Sequence, residues 1–151
     1  MTVEITPNGT YGAGMPNLPA PLLNLMMRVF TPILRLRGMK VLTLITVGAK
    51  SGQTRETDLG WFPDGDNRWL IVASAGGAAK HPAWYYNLTR NPDKIWIRLD
   101  GRRMKVRADS LQGEERRQKY AEIAAVAPNY GEYQTKTDRE IPVIRLTAVP
   151  G

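Results

Sequence analysis

The most informative segment of the chain covers residues 94–108 and reads KIWIRLDGRRMKVRA. Its centre, Asp100-Gly101, is a pair typical of a two-residue β-hairpin turn. Around that turn, apolar and polar side chains alternate, which gives the hairpin one apolar and one cationic face. The apolar face carries Ile95, Ile97, Met104 and Val106, and the other carries Trp96, Arg98, Arg103 and Lys105. The segment therefore predicts an antiparallel pair of strands in which Arg98 lies opposite Arg103.

Other segments predict further strands of the same sheet. Residues 41–47 form an apolar, β-branched run, and residues 142–147 predict the last strand. Residues 56–62 and 68–74 flank the turn-forming residues 63–67, which predicts a second hairpin. The count is about six strands, mostly consecutive, so we expect an antiparallel sheet. Closure into a small barrel would remove its exposed edges.

Three helices accompany these strands, which makes the predicted fold mainly β with α (α+β). Residues 82–89 and 114–126 predict two of them. Residues 21–37 predict an amphipathic helix, whose wide apolar face either packs on the domain or lies at a membrane surface. The glycine- and proline-containing residues 1–20 predict a flexible N-terminal arm, mobile or draped. Residues 21–151, with that first helix, then form a single domain.

Composition narrows the choice of function. The chain has 151 residues, with 21 Lys and Arg against 14 Asp and Glu, so its formal charge is +7. That balance favours anionic partners such as nucleic acid, anionic lipid or a phosphorylated or polycarboxylate ligand. Because the chain lacks cysteine and has one histidine, His81, we predict no metal site, and we assign His81 a structural role. No secretion signal opens the chain, so a cytoplasmic location is expected.

Three segments could carry chemistry. Residues 48–55, GAKSGQTR, can direct backbone N–H groups and positive charge at a phosphate, unless they are only a turn with solvated charges. The small residues 73–77 would let a flat ligand approach the backbone, with Ser74 as a hydrogen-bond donor, or would simply connect strand and helix. Tyr130 and Tyr133 could orient a carbonyl or relay a proton, or could be packed aromatics.

In this order the segments resemble the deazaflavin-dependent nitroreductase family, within the split β-barrel flavin-binding superfamily. The resemblance runs from about residue 41 to residue 146. It is carried by the 48–55 loop, VASAGGAAKHPAWYYNL at 72–88, Asn91-Pro92, PNY at 128–130 with Tyr133-Gln134, and TDREIP at 137–142. It implies a split β-barrel that binds coenzyme F420, a deazaflavin with a phosphate and an oligoglutamate tail. The reduced cofactor would transfer hydride to a quinone, an activated enone or a nitro compound.

The resemblance also implies roles for individual residues. By position, the contacts to the cofactor phosphate and tail are Lys50, Ser51 and Arg55. The positions near the deazaflavin are Ser74, Trp84 and Asn87, and Lys80 is a further cofactor contact. The catalytic candidates, which would polarise the acceptor oxygen, are Tyr130, Tyr133 and Ser74.

Alternative functions remain open at this stage. One is the same barrel using FMN, with a site shared between two subunits. Another is a non-catalytic basic domain that binds single-stranded nucleic acid through the cationic hairpin face and Trp96. The F420 interpretation expects a small-molecule hydride acceptor and no nucleic acid. It is compatible with a monomer or a homodimer. A quinone acceptor would lie in lipid, so helix 21–37 could contact the inner face of the cell membrane.

Overall fold

The computed structural model describes residues 2–12, Leu22, Leu25 and residues 40–150. The predicted helix 21–37 lies outside this part of the chain, apart from Leu22 and Leu25, which are helical and exposed. Residues 13–20 of the predicted arm also lie outside it. No helix among the described residues is long and apolar enough to cross a membrane.

Seven strands form one curled, antiparallel sheet. They are β1 (Val41–Val47), β2 (Thr54–Gly60), β3 (Phe62–Pro63), β4 (Arg68–Val72), β5 (Trp96–Leu99), β6 (Arg102–Ser110) and β7 (Val143–Ala148). Their order across the sheet is β2-β1-β5-β6-β7-β4-β3. This confirms the predicted α+β fold with a split β-barrel. The count exceeds the predicted six because the two residues of β3 form a strand of their own.

The β5–β6 hairpin has the predicted register. Arg98 lies opposite Arg103 and Trp96 opposite Lys105. Asp100 and Gly101 have φ values of 51° and 76°, the positive angles that a type I′ turn requires. Strand β6 pairs with β5 over its first part and with β7 over its second, so it joins the two halves of the sheet.

The second predicted hairpin is largely wrong. Strand β2 pairs along its whole length with β1, from Val41 opposite Gly60 to Val47 opposite Thr54. The Thr43 hydroxyl also donates across this pair to the Asp58 carboxylate, at 2.6 Å. Only β3 pairs with β4, where Phe62 lies opposite Leu70. The turn at 63–67 is present, but strand β2, which precedes it, pairs with β1 through the 48–55 loop instead of with β4.

Three α-helices lie within residues 40–150: α1 (Ala83–Arg90), α2 (Gly113–Val126) and α3 (Pro128–Thr135). The first two confirm the predicted helices. The third lies in a segment for which no helix was predicted, and Pro128 at its first turn suits a helix start. One core cluster lies between the sheet and α1, and a second lies beneath α2 and α3.

The described part of the N-terminal arm is draped over the domain. Ser110 N–H donates to the Thr2 carbonyl at 3.2 Å, and Gly9 N–H donates to the Ala79 carbonyl at 2.8 Å. Val3 is buried in the first core cluster. The division of the chain into an arm (1–20) and a domain (21–151) remains a prediction, since residues 13–21 lie outside the described part of the chain.

Candidate functional site

The 48–55 loop connects β1 to β2 and is held by its own hydrogen bonds. Gly48 N–H donates to the Gln53 carbonyl at 2.7 Å, and Gly52 N–H donates to the Gly48 carbonyl at 3.0 Å. The Ser51 hydroxyl accepts from Gln53 N–H at 3.2 Å and from the Arg55 guanidinium at 3.4 Å. The backbone is therefore preformed, while Lys50, Ser51 and Arg55 are exposed to solvent.

Asn87 ties this loop to helix α1. Its side-chain carbonyl accepts from Ala49 N–H at 2.9 Å, and its amide donates to the Thr46 hydroxyl at 3.1 Å. The residue is buried, and these bonds give it a supporting role that the sequence did not reveal. Trp84, one helical turn earlier, is also largely buried, in the first core cluster. Contacts of both residues with a cofactor remain predictions.

The 74–77 turn, which follows β4, has an unusual backbone. Ala75, Gly76 and Gly77 have φ values of 45°, 64° and 84°, whereas Ser74 has a φ of −77°. A change from right- to left-handed conformation between neighbouring residues turns successive N–H groups towards one concavity. Within residues 2–12 and 40–150, the N–H groups of Ser74, Ala75 and Gly76 have no acceptor. Within the described part of the chain, these three donors of the turn are therefore unpaired.

Arg139 lies beneath this turn and is 1% exposed. Its guanidinium donates to the carbonyls of Ser74 at 2.7 Å, Ala73 at 2.9 Å and Ala78 at 3.0 Å. It also donates to His81 Nδ1, at 2.8 Å. Burial lowers the pKa of Arg139 from its ordinary value, but a guanidinium remains charged at neutral pH. A buried cation thus supports the turn.

The bond from Arg139 determines the tautomer of His81. A guanidinium can only donate, so Nδ1 must accept, and the imidazole proton is on Nε2. Nε2 lies 2.7 Å from the carbonyl of Thr6 in the arm, which accepts that proton. Burial, and to a lesser extent the charge of Arg139, lowers the pKa of His81, so its ring is neutral. His81 therefore has the structural role that was predicted, because it links the arm to Arg139.

Tyr130 and Tyr133 lie together on α3. Their ring centroids are 5.5 Å apart, and Tyr130 packs edge-on against Phe62 at 5.4 Å. Burial raises the pKa of the Tyr130 phenol. A Cβ on Gly77 would lie 2.8 Å from the Tyr133 carbonyl oxygen, so α3 and the 74–77 turn are in close contact. This contact brings Tyr133 beside the turn that carries Ser74.

The predicted site residues thus fall into two groups. One is the 48–55 loop, and the other is the 74–77 turn with α3. Lys80 is exposed, and among the described residues no bond ties its side chain to either group. A cavity of about 470 Å³ contains none of the predicted residues. It is lined by Lys40, Val41, Thr43, Trp61, Arg98, Leu99, Asp100 and Gly101.

Two of the cationic side chains on the hairpin face already have partners within the protein. Arg98 forms an ion pair with Glu56 on β2, and Arg103 lies over the Trp96 ring at 5.0 Å from its centroid. Glu56 offsets the repulsion expected between the facing Arg98 and Arg103. These contacts weaken the case for single-stranded nucleic acid, because Trp96 and both arginines already have partners.

Comparisons with known proteins agree on one family. A family profile described as F420H(2)-dependent quinone reductase matches residues 26–148. An F420H(2)-dependent quinone reductase of Mycobacterium tuberculosis is 41% identical over 111 residues, which cover 70% of this chain and 72% of that protein. A solved structure of an F420-H2 dependent reductase (FDR-A) is 37% identical with a TM-score of 0.62, and covers 71% of this chain and 93% of that one. Another, described as a domain-swapped dimer, is 32% identical with a TM-score of 0.62, and covers 82% and 98%.

Proposed function

Because the chain belongs to the F420H(2)-dependent quinone reductase family, we propose that it reduces a quinone with hydride from reduced coenzyme F420. Family membership makes the chain an oxidoreductase that uses coenzyme F420. It confirms the resemblance drawn from the sequence. Activated enones and nitro compounds, the other acceptors implied by that resemblance, remain predictions.

The observation that supports this proposal best is the preformed cationic loop at 48–55. Exposed side chains on a fixed backbone suit a flexible polyanionic ligand, since the loop does not have to be ordered when the ligand binds. Lys50 and Arg55 supply charge for the phosphate and carboxylates of the cofactor, and the Ser51 hydroxyl supplies a hydrogen bond. In the second group, the N–H groups of the 74–77 turn, which have no acceptor among the described residues, suit the oxygen-bearing edge of a flat ring. The residues present therefore fit coenzyme F420.

Reduced coenzyme F420, when bound, supplies the hydride. The protein positions the acceptor and donates a proton to its oxygen. The Tyr133 hydroxyl lies 3.2 Å from the Asn129 side-chain amide, which donates to it. Its own proton is therefore available to the oxygen of a bound quinone, which becomes electron-rich as hydride arrives. Tyr130, with its raised pKa, stays protonated and is a second donor. Ser74 is a third, and Trp84, Asn87 and Lys80 are assigned to cofactor binding.

The setting of the reaction is also part of the proposal. A relative is described as a domain-swapped dimer, so a homodimer and a monomer both remain candidates for this chain. We place the enzyme in the cytoplasm, with peripheral membrane contact through residues 21–37 where a lipid-soluble quinone is the acceptor. Flotation with anionic liposomes that is lost when residues 1–37 are deleted would support that contact. Absence of flotation in the intact chain would contradict it.

Acceptor preference is tested by following oxidation of reduced coenzyme F420 under anaerobic conditions. A water-soluble quinone, an activated enone and a nitroaromatic compound are supplied in parallel, with FMN in place of F420 as the cofactor control. We expect the highest kcat/KM with the quinone. Turnover of the enone or nitro compound without turnover of the quinone would contradict the proposed acceptor and leave the F420 assignment intact.

A further inference from the structure

We propose that Arg139 is a positioning residue of the hydride-transfer site, which holds the 74–77 turn so that its N–H groups face an electron-rich oxygen of the reacting pair. The role of Arg139 towards that pair rests on the proposed function. Its role towards the turn rests on the geometry alone. His81 completes the arrangement, because its Nδ1 accepts from the guanidinium and holds it in place.

Arg139 differs from two other arginines of the described chain whose side chains are largely buried. Arg116 lies 3.4 Å from the Glu140 carboxylate, and Arg145 lies 2.5 Å from Asp64. Arg139 is more buried than either, and among the described residues its partners are three carbonyl oxygens and a neutral imidazole. A buried charge without a counter-charge is costly. The presence of this guanidinium beneath the turn is explained if the turn binds a negatively charged group of a ligand, which would balance the charge of Arg139.

Peptide geometry explains how Arg139 aims the turn. In a trans peptide, the C=O of one residue and the N–H of the next point in opposite directions, and the described chain has no cis bond. The Ala73 carbonyl points at Arg139, so the N–H of Ser74 points away from it. The Ser74 carbonyl also points at Arg139, so the N–H of Ala75 points away. These are two of the three donors of the turn that have no acceptor among the described residues.

The buried charge also strengthens those donors. A carbonyl that accepts from a cation is polarised, and the N–H of the same peptide becomes a better donor. Arg139 is too deep to contact a ligand, so its charge acts through the peptides of Ser74 and Ala75. The ligand group suited to this concavity is a carbonyl or oxyanion oxygen, such as the one that gains electron density during hydride transfer.

His81 fixes Arg139 from the opposite side. Its Nδ1 accepts from the guanidinium, and its Nε2 donates to Thr6 in the arm. Substitution of His81 can remove the hydrogen bond of one ring nitrogen while keeping that of the other. Asparagine places a side-chain oxygen near the Nδ1 position and keeps an acceptor for Arg139, whereas glutamine places an amide near Nε2 and keeps the donor to Thr6.

His81→Gln and His81→Asn are therefore matched variants at one buried site. If His81 acts through Arg139, His81→Gln should weaken F420 binding about tenfold, the usual effect of losing one bond to a charged group, while His81→Asn stays within about twofold of the wild type. If His81 only anchors the arm, the order reverses, because His81→Asn loses the bond to Thr6. The measurements are fluorescence titration with F420 and amide hydrogen exchange of Gly77 and Ala78, whose N–H groups donate to the Ser74 and Ala75 carbonyls across the turn.

Hydrogen exchange is read without any cofactor, so it separates this inference from the proposed function. Failure of the wild type to bind F420 would contradict the proposed function, while faster exchange in His81→Gln than in His81→Asn would still support the role of Arg139 in the turn. Equal exchange in the two variants, or faster exchange in His81→Asn, would overturn that role. Where neither variant folds, the ¹⁵N spectrum of the wild-type imidazole decides. Protonated Nε2 is expected, and protonated Nδ1 would overturn the arrangement.

Discussion

The 48–55 loop carries its positive charge on exposed side chains, whereas the 74–77 turn has its charge buried beneath it. Lys50 and Arg55 can follow a ligand as it moves, but water and salt screen them. Arg139 cannot move, and the protein interior screens it much less. The loop is therefore suited to a long, flexible, polyanionic group, and the turn to one oxygen held in a defined place. A cofactor with a charged tail and a rigid ring needs both.

Of the changes that distinguish the 74–77 turn from the 48–55 loop, loss of the buried cation Arg139 should have the largest effect, on the free energy of unfolding. Arg139→Met removes the guanidinium that donates to three carbonyls and to His81, so the free energy of unfolding should fall by about 3 kcal/mol. Urea unfolding measures this. Arg117→Met, which removes an exposed arginine paired with Glu114, is the control and should change it by less than about 0.5 kcal/mol. Similar losses in both variants would contradict the buried role of Arg139.

The next effect concerns catalysis beside the turn. Tyr133→Phe removes the hydroxyl that lies 3.2 Å from Asn129 while leaving the ring packing in place. We expect kcat/KM for the quinone to fall about tenfold, with little change in F420 affinity, because the lost bond is made to the acceptor. Full retention of kcat/KM in steady-state assays would remove this hydroxyl from the mechanism.

A smaller effect should appear as pH is lowered. His81 has a pKa below 6.5 in the folded protein, so below about pH 6.5 the unfolded chain takes up a proton that the folded chain resists. The stability contributed by neutral His81 is therefore present above that pH and is lost as pH falls through the folded pKa. The groups facing this ring are Arg139, Tyr85, Tyr86 and, from the arm, Thr6.

Thermal unfolding between pH 7.5 and pH 5.5 measures that loss. His81→Asn cannot take up the proton, so its Tm should vary less with pH over this range than the Tm of the wild type. Parallel Tm profiles for the two proteins would show that His81 stays neutral in both states, or titrates equally in both, and would contradict the argument.

The smallest effect should come from the backbone of the turn itself. Ala75 has a φ of 45°, which is unfavourable for any residue with a Cβ. Ala75→Gly relieves that strain but increases the freedom of the unfolded chain, so we expect a net stabilisation of about 0.5 kcal/mol. Denaturant unfolding measures it. A destabilisation of about 1 kcal/mol would mean that the Ala75 methyl group makes contacts worth more than the strain.

Local signals in the sequence predicted most of the fold. The Asp100-Gly101 turn fixed the register of β5 and β6 because a two-residue loop leaves one antiparallel pairing for the alternating side chains. The pairing of β2 with β1 was missed because the turn at 63–67 gave the stronger local signal. Helix α3 was missed because its few apolar residues do not recur at helical spacing. Pro128 was the one signal for it, because proline is common at the first turn of a helix.

The candidate site was predicted less completely. The 48–55 loop stands out from composition alone, since glycines, hydroxyls and cations occur together within eight residues. The role of Arg139 could not be read in this way, because its partners lie about sixty residues earlier in the chain. The same applies to Asn87, whose bonds to Ala49 and Thr46 exist only once α1 packs beside β1. Residues that act by supporting others become visible only in the folded chain.

The most direct test of the account is a fluorescence titration of the purified protein with oxidised coenzyme F420, with FMN in parallel. We expect saturable F420 binding and weaker FMN binding. Lys50→Ala should weaken F420 binding several-fold at low salt and less at high salt, because its contribution is an exposed charge. Lys105→Ala, on the hairpin face, is the control and should bind as the wild type does. Tight FMN binding without F420 binding, or binding of neither, would contradict the account.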